Sequence, residues 1–131
     1  MLLTAYALPA ILTVMVDVIT TDEFAEWYVS LDVQATKAVD HHVELLADRG
    51  LALGFPYSSA VEGATFALRE LRVQAGGRPL RVFYAFDPER AAVLILGGDK
   101  TGSTRFYETA VPLCERIWKE YLEEQRQHPK T

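Results

Sequence analysis

An unbroken apolar run, AAVLIL at residues 91–96, most constrains how this chain can fold. A strand that is apolar at every position is typical of burial on both faces of a sheet. Strands are also predicted at 66–74 and 80–87, and the short turns AGGRP and DPER separate the three segments. Turns this short join antiparallel neighbours. The pattern therefore predicts an antiparallel meander in which the apolar run is a central strand.

Helices are predicted on both sides of this meander in the sequence. A strand at 14–19 precedes helices at 22–31 and 33–49. Thr20 and Glu23 have the spacing of a capping box at the start of the first helix, and Gly50 is placed to end the second. Residues 51–63 have no clear period and are predicted to be irregular. An amphipathic helix is predicted at 105–125. This order predicts an α+β fold with two N-terminal helices and one C-terminal helix packed on a small antiparallel sheet.

The apolar N-terminal stretch leaves two interpretations open. It lacks the basic start and the cleavage site of a signal peptide, and it is too short for a transmembrane helix. Either it leads into the first strand, or residues 1–14 are an N-terminal extension upstream of a natural start at Met15. The length of 131 residues predicts a single domain spanning 1–131. In both cases we expect a cytoplasmic protein with no membrane partner, and the single cysteine fits a reducing compartment.

Charge is unevenly distributed along the chain. The formal net charge is −5, yet residues 69–105 hold seven basic and four acidic residues. A local cationic segment in an acidic chain is a candidate surface for phosphates. The single cysteine, Cys114, has no metal-ligand spacing around it, so we expect it to be a buried apolar group. Asp40, His41, His42 and Glu44 are predicted to form a solvated helix face, and no metal site or cofactor is expected.

Three segments in sequence order, ALRELRV, LRVFYAFD and LILGGDKTGSTRFYETAVP, resemble the RelE/ParE toxin superfamily. Within it, they are most similar to the HigB-like, phage-related toxins of type II toxin–antitoxin systems. The similarity covers residues 66–122 and implies a RelE-like fold. It also implies a metal-independent endoribonuclease, or mRNA interferase, that cleaves mRNA, usually on the ribosome. Such an enzyme needs a base, an acid and cations around the scissile phosphate.

The resemblance also implies partners. A cognate antitoxin, of helix-turn-helix type, would neutralise the toxin by covering the cationic segment or displacing the closing helix. The chain would meet DNA only through the antitoxin complex. Two alternatives stay open: a ParE-like toxin that poisons DNA gyrase, and an inactive phage-derived binding protein of the same fold.

The resemblance assigns catalytic roles to Arg81, Lys100 and Tyr107. Arg81 would stabilise the transition state, and we expect an exposed arginine whose loss changes stability by less than about 0.5 kcal/mol; the alternative is a pair with Asp99 or Glu70. Lys100 would stabilise the phosphorane or transfer a proton, or else pair with Asp99 as a solvated loop lysine. Tyr107 would stack on a base or exchange a proton with the 2′-hydroxyl, or simply fasten the helix to the sheet.

The remaining assignments concern RNA binding. Arg72 would position the RNA backbone or act as a framework residue, and Arg105 would contact a phosphate or lie on the helix surface. Glu70 departs from the resemblance, because RNA-cutting relatives often have a basic residue there, although a carboxylate can itself act as a base. Gly97 and Gly98 are expected to let the backbone approach a ligand closely.

Overall fold

The computed structural model describes residues 15–128, so the question of an extension at 1–14 lies outside the described residues. There are five strands, which are β1 (Val18–Thr20), β2 (Ser58–Ala60), β3 (Arg69–Ala75), β4 (Arg78–Phe86) and β5 (Ala92–Asp99). The helices are α1 (Asp22–Val29), α2 (Val33–Arg49) and α3 (Phe106–Gln127), and a 3-10 turn covers Gly50–Ala52. No helix within 15–128 is long and apolar enough to cross a membrane.

The strands form one sheet in the order β1-β5-β4-β3-β2. Strands β3, β4 and β5 form the predicted antiparallel meander, β2 pairs antiparallel with β3, and β1 runs parallel to β5. The apolar run lies between β1 and β4, and Ala91–Ile95 are buried. Its prediction as a central strand is therefore confirmed.

Alternation along β4 divides the hydrophobic core into two halves. Leu80, Val82 and Tyr84 pack with α1 and α2 on one face of the sheet. Phe83 and Ala85 pack with α3 on the other face. Because a strand sends successive side chains to opposite faces, one strand serves both cores. The predicted α+β fold with three helices packed on the sheet is confirmed.

Local capping chemistry sets the helix ends. The Asp32 carboxylate accepts a hydrogen bond from the Ala35 N–H at 2.8 Å, and Gly50 ends α2 with a φ of 54°, so the predicted bounds of α2 are confirmed. At α1 the predicted cap is one residue off. Thr21 is the N-cap, because its hydroxyl oxygen accepts from the Phe24 N–H at 3.0 Å and also donates to the Ile95 carbonyl at 2.7 Å.

Two parts of the sheet differ from the prediction. Strand β2 lies in the segment predicted to be irregular, and it forms because Ser59 pairs with Glu70 of β3. Strand β5 extends beyond the predicted apolar run, through Gly97 and Gly98, because both glycines pair with β4. These are pairings between residues distant in sequence, which local periodicity does not report.

Aromatic rings occupy the space over both glycines. A Cβ at Gly97 would lie 2.0 Å from the ring of Trp27 in α1, and one at Gly98 would lie 2.8 Å from the ring of Phe106 in α3. The expectation that these glycines admit a ligand is therefore wrong. They let a helix from each face approach the end of β5 closely.

Candidate active site

A cluster of polar side chains lies on the α3 face of the sheet, beside the first turn of α3. Arg72 of β3 and Arg81 of β4 are register partners, and Tyr107 of α3 reaches the neighbouring Glu70. Lys100 follows β5 directly and lies against Tyr107. Four of the five predicted site residues therefore come together, around a glutamate that the sequence had marked as a departure.

The Glu70 carboxylate lies at the centre of the cluster and is only 4% exposed. Its Oε1 accepts a hydrogen bond from the Tyr107 hydroxyl at 2.7 Å, and Arg81 Nε is 3.6 Å away. Its Oε2 accepts from the Ser59 hydroxyl at 3.1 Å and lies 3.4 Å from Arg72 Nη1. A buried carboxylate needs such partners, because burial without them disfavours its charged form.

Arg81 is buried, with only 4% of its side chain exposed. Its Nη1 donates to the Leu80 carbonyl at 3.0 Å, while its Nε has no hydrogen-bond partner within residues 15–128. The expectation of an exposed arginine is wrong, because the Arg81 side chain is buried and pairs with Glu70. Its removal would leave a buried carboxylate with less compensation, so burial predicts a loss of stability in place of the expected indifference.

Tyr107 packs its ring against neighbouring aromatic residues and donates a hydrogen bond to Glu70. Its ring lies edge-on to Phe83 and Phe106, with centroid separations of 6.1 and 5.2 Å. Burial, together with the hydrogen bond to Glu70 and its negative charge, raises the pKa of Tyr107, and Arg81 opposes this only partly. The tyrosine is therefore protonated at neutral pH and presents a hydroxyl, not a phenolate.

Lys100 and Arg105 differ in their relation to the cluster. Lys100 Nζ lies 5.1 Å from the centroid of the Tyr107 ring, and the Lys100 N–H donates to the Pro79 carbonyl at 2.9 Å. Within the described chain Lys100 forms no ion pair with Asp99, whose carboxylate instead accepts from Thr101. Arg105 is 84% exposed and contacts Glu108 at the surface, outside the cluster.

The cluster is a potential anion site with an acid–base pair inside it. Arg72 and Arg81 lie against the Glu70 carboxylate, and Lys100 lies over the ring of Tyr107, so the cluster has an excess of positive charge. The positive end of the α3 dipole lies beside them and also favours an anion. Sequence reasoning missed Ser59, which depends on the register of β2 with β3, and the central place of Glu70, which depends on the register of β3 with β4 and on the start of α3.

Two further expectations concerned a metal site and the thiol of Cys114. Residues 15–128 contain no group of three histidine, cysteine or acidic side chains placed to hold a metal ion. Asp40, in the predicted solvated face, accepts a hydrogen bond from the Tyr28 hydroxyl at 2.6 Å. Cys114 is fully buried, and burial raises the pKa of its thiol to about 12. Its predicted role as a core residue is confirmed.

A separate cleft of about 400 Å³ opens near the other end of α3. Four acidic residues line it, namely Asp22, Glu23, Glu120 and Glu124, and none of the predicted site residues does. Its charge is opposite to what a phosphate requires. We therefore place the candidate site at Glu70 and not in this cleft.

Comparison with known proteins agrees with the sequence motifs. The profile of the family described as "Phage derived protein Gp49-like (DUF891)" matches residues 26–119. The chain is 35% identical over 107 residues to "Putative toxin HigB3" of Mycobacterium tuberculosis, covering 80% of this chain and 92% of that protein. It is 31% identical over 104 residues to "Putative toxin HigB2" of the same organism, covering 77% of this chain and 52% of that protein. No solved structure matches the chain significantly. The chain therefore belongs to the Gp49-like family of phage-derived proteins, and its predicted HigB-like character is confirmed.

Proposed function

We propose that this chain is the toxin of a type II toxin–antitoxin system and acts as a metal-independent endoribonuclease on mRNA. The names of its relatives support the toxin half of the proposal. The observation that carries the nuclease half is the Tyr107–Glu70 hydrogen bond of 2.7 Å, set among three cationic side chains.

The base in this proposal is the Tyr107–Glu70 pair. A tyrosine with a raised pKa is a poor base alone, but its hydroxyl already donates to a carboxylate. The 2′-hydroxyl of the substrate gives its proton to Tyr107 Oη while the tyrosine proton passes to Glu70 Oε1. The 2′-oxygen then bonds to the adjacent phosphorus. Transfer through one intervening hydroxyl keeps the base within the reach that general base catalysis requires.

Cations stabilise the phosphorane and the leaving group. Arg72, with 34% of its side chain exposed, and Lys100 contact the phosphate oxygens. The buried Arg81 adds positive charge from beneath and holds Glu70 in place. The bond from phosphorus to the 5′-oxygen breaks, and Lys100 supplies the proton to that oxygen. The products are a 2′,3′-cyclic phosphate and a 5′-hydroxyl.

A cognate antitoxin follows from the toxin assignment. We expect it to present an acidic or helical segment to the Arg72–Lys100 surface, because opposite charge favours association there. The mRNA and the ribosome are the proposed targets, and DNA is reached only through the helix-turn-helix antitoxin.

The test is brief induction in a bacterial host without antitoxin, followed by mapping of RNA 5′ ends. New 5′-hydroxyl ends within translated messages, lost in Tyr107→Phe but kept in Tyr121→Phe, are the expected result. Growth arrest without cuts would favour the gyrase-poison alternative, whereas neither arrest nor cuts would favour an inactive binding protein. Persistence of cleavage by the purified protein in a metal chelator tests the metal-independent step.

A further inference from the structure

Phe55 is an aromatic side chain with an unusually open position. It lies in the segment between α2 and β2 and is 79% exposed, more than any other phenylalanine, tyrosine or tryptophan within residues 15–128. A single exposed apolar residue is ordinary on a protein surface. The surroundings of this ring are what distinguish it.

The Arg72 guanidinium connects this ring to the candidate active site. Its Cζ lies 5.7 Å from the Phe55 centroid, and its Nη1 lies 3.4 Å from Glu70 Oε2. One side chain therefore contacts both the exposed ring and the catalytic carboxylate. A nucleotide next to the scissile phosphate would be within reach of the ring.

Backbone hydrogen bonds hold the segment that carries Phe55. The Gly54 carbonyl accepts from the N–H groups of Tyr57 and Ser58 at 3.0 and 3.1 Å, and the Tyr57 carbonyl accepts from the Arg72 N–H at 2.8 Å. The ring is thus presented on a turn fixed to β3. A preorganised aromatic loses little conformational freedom when a ligand stacks on it.

We propose that Phe55 is a stacking platform for a nucleobase of the RNA next to the scissile phosphate. This inference rests on the proposed ribonuclease function. Single-stranded nucleic acid is bound where cationic groups follow the backbone and aromatic rings stack on the bases. Arg72 lies against the ring, and most of the remaining ring surface is open, so guanidinium, ring and base form a three-layer stack.

The experiment measures binding of the full chain to a fluorescent single-stranded oligoribonucleotide with 2′-O-methyl sugars, which cannot be cleaved. Phe55→Leu keeps an apolar side chain and removes the aromatic face, whereas Phe55→Trp keeps that face. We expect Phe55→Leu to weaken binding roughly 5- to 150-fold, the loss typical of one stacked base. Phe55→Trp should bind at least as tightly as the wild type. Leu51→Ala is the matched control, because Leu51 is 77% exposed in the same segment.

A second measurement moves one abasic nucleotide along the oligonucleotide. The wild type should lose affinity at one position more than at the others, and Phe55→Leu should show no extra loss there, because the two changes remove the same contact. Wild-type binding with an unchanged Phe55→Leu affinity would overturn the inference and leave the ribonuclease function standing. A wild type that neither binds nor cleaves RNA would overturn the function, and the inference with it.

Discussion

At the scale of single residues, substitution of Tyr107 tests the proposed proton path. Tyr107→Phe removes the hydroxyl that bonds to Glu70 and keeps the ring that packs on Phe83 and Phe106. We expect the single-turnover cleavage rate to fall about 10²- to 10⁴-fold, the usual contribution of a positioned acid–base group. The free energy of unfolding should fall by only about 2 kcal/mol, the value of a hydrogen bond to a charged group.

The matched control for this change is Tyr121→Phe. Tyr121 is also in α3, and its hydroxyl donates to the buried carboxylate of Asp87 at 2.8 Å. We expect a similar stability cost and an unchanged cleavage rate, because this pair lies away from the cluster. Equal losses of rate in the two variants would contradict a proton path through Tyr107.

Substitution of Arg81 tests how much the buried ion pair with Glu70 contributes to stability. Arg81→Ala removes a buried cation that lies 3.6 Å from the buried Glu70 carboxylate, and we expect a loss of about 3 kcal/mol in the free energy of unfolding. Arg116→Ala breaks an exposed pair with Glu120 and should cost less than about 1 kcal/mol. Urea denaturation of both variants at neutral pH measures the difference. An Arg81→Ala protein as stable as Arg116→Ala would contradict the burial of the pair.

At the scale of elements, Asp87 fastens the C-terminal half of α3 to the β4–β5 turn. Its Oδ1 accepts from the N–H groups of Glu89 and Ala91, and its Oδ2 accepts from the side chains of Tyr121 and Gln125. Burial on its own would raise the pKa of Asp87, but these four donors outweigh it and lower the pKa. The ionised carboxylate therefore contributes to the stability of the folded state.

The sign of the pH dependence follows from that lowered pKa. The contribution is complete above the unfolded-state pKa, near 4, and is lost as the pH falls through the lower folded-state value. We expect Asp87→Asn to cost about 2 kcal/mol at pH 7, the range for a hydrogen-bonded charge, and less at pH 3. Urea denaturation at the two pH values measures this, with the exposed Asp48→Asn as control. A cost that does not depend on pH would contradict the role of the charge.

At the scale of the whole molecule, charge is separated along α3. The Glu70 cluster, rich in cations, adjoins its first turn, and the acidic cleft lies toward its other end. RNA binding should depend on salt through the partly exposed cations Arg72 and Lys100. For two phosphates neutralised on a single strand, the slope of log K against log salt should be about −1.4.

Lys100→Gln should reduce that slope by about 0.7, and Lys119→Gln, on the exposed surface of α3, should leave it unchanged. Binding of the uncleavable oligonucleotide over a range of sodium chloride concentrations measures both. The same slope in Lys100→Gln and the wild type would exclude Lys100 as a phosphate contact.

How far the sequence predicts the molecule depends on whether the signal is local. The bounds of α2 follow from Asp32 and Gly50, which act within one helical turn. Strand β2 has no signal of its own, since three residues become a strand only by pairing with β3. The place of Glu70 depends on the register of β3 with β4 and on the start of α3, so the sequence marked the residue and not its partners.

The order of the elements along the chain also determines when each part of the fold can form during synthesis. Strand β1 pairs with β5, and Thr21 bonds to Ile95, 74 positions later, so the first strand has no sheet to join until most of the chain exists. Ser59, Glu70, Arg72 and Arg81 leave the ribosome before Tyr107, which completes the proton path. Domains fold as units while they are being made. Under the proposed function, a nascent toxin has its arginines before it has the complete proton path, so it cannot cleave the message that encodes it until residue 107 has been synthesised.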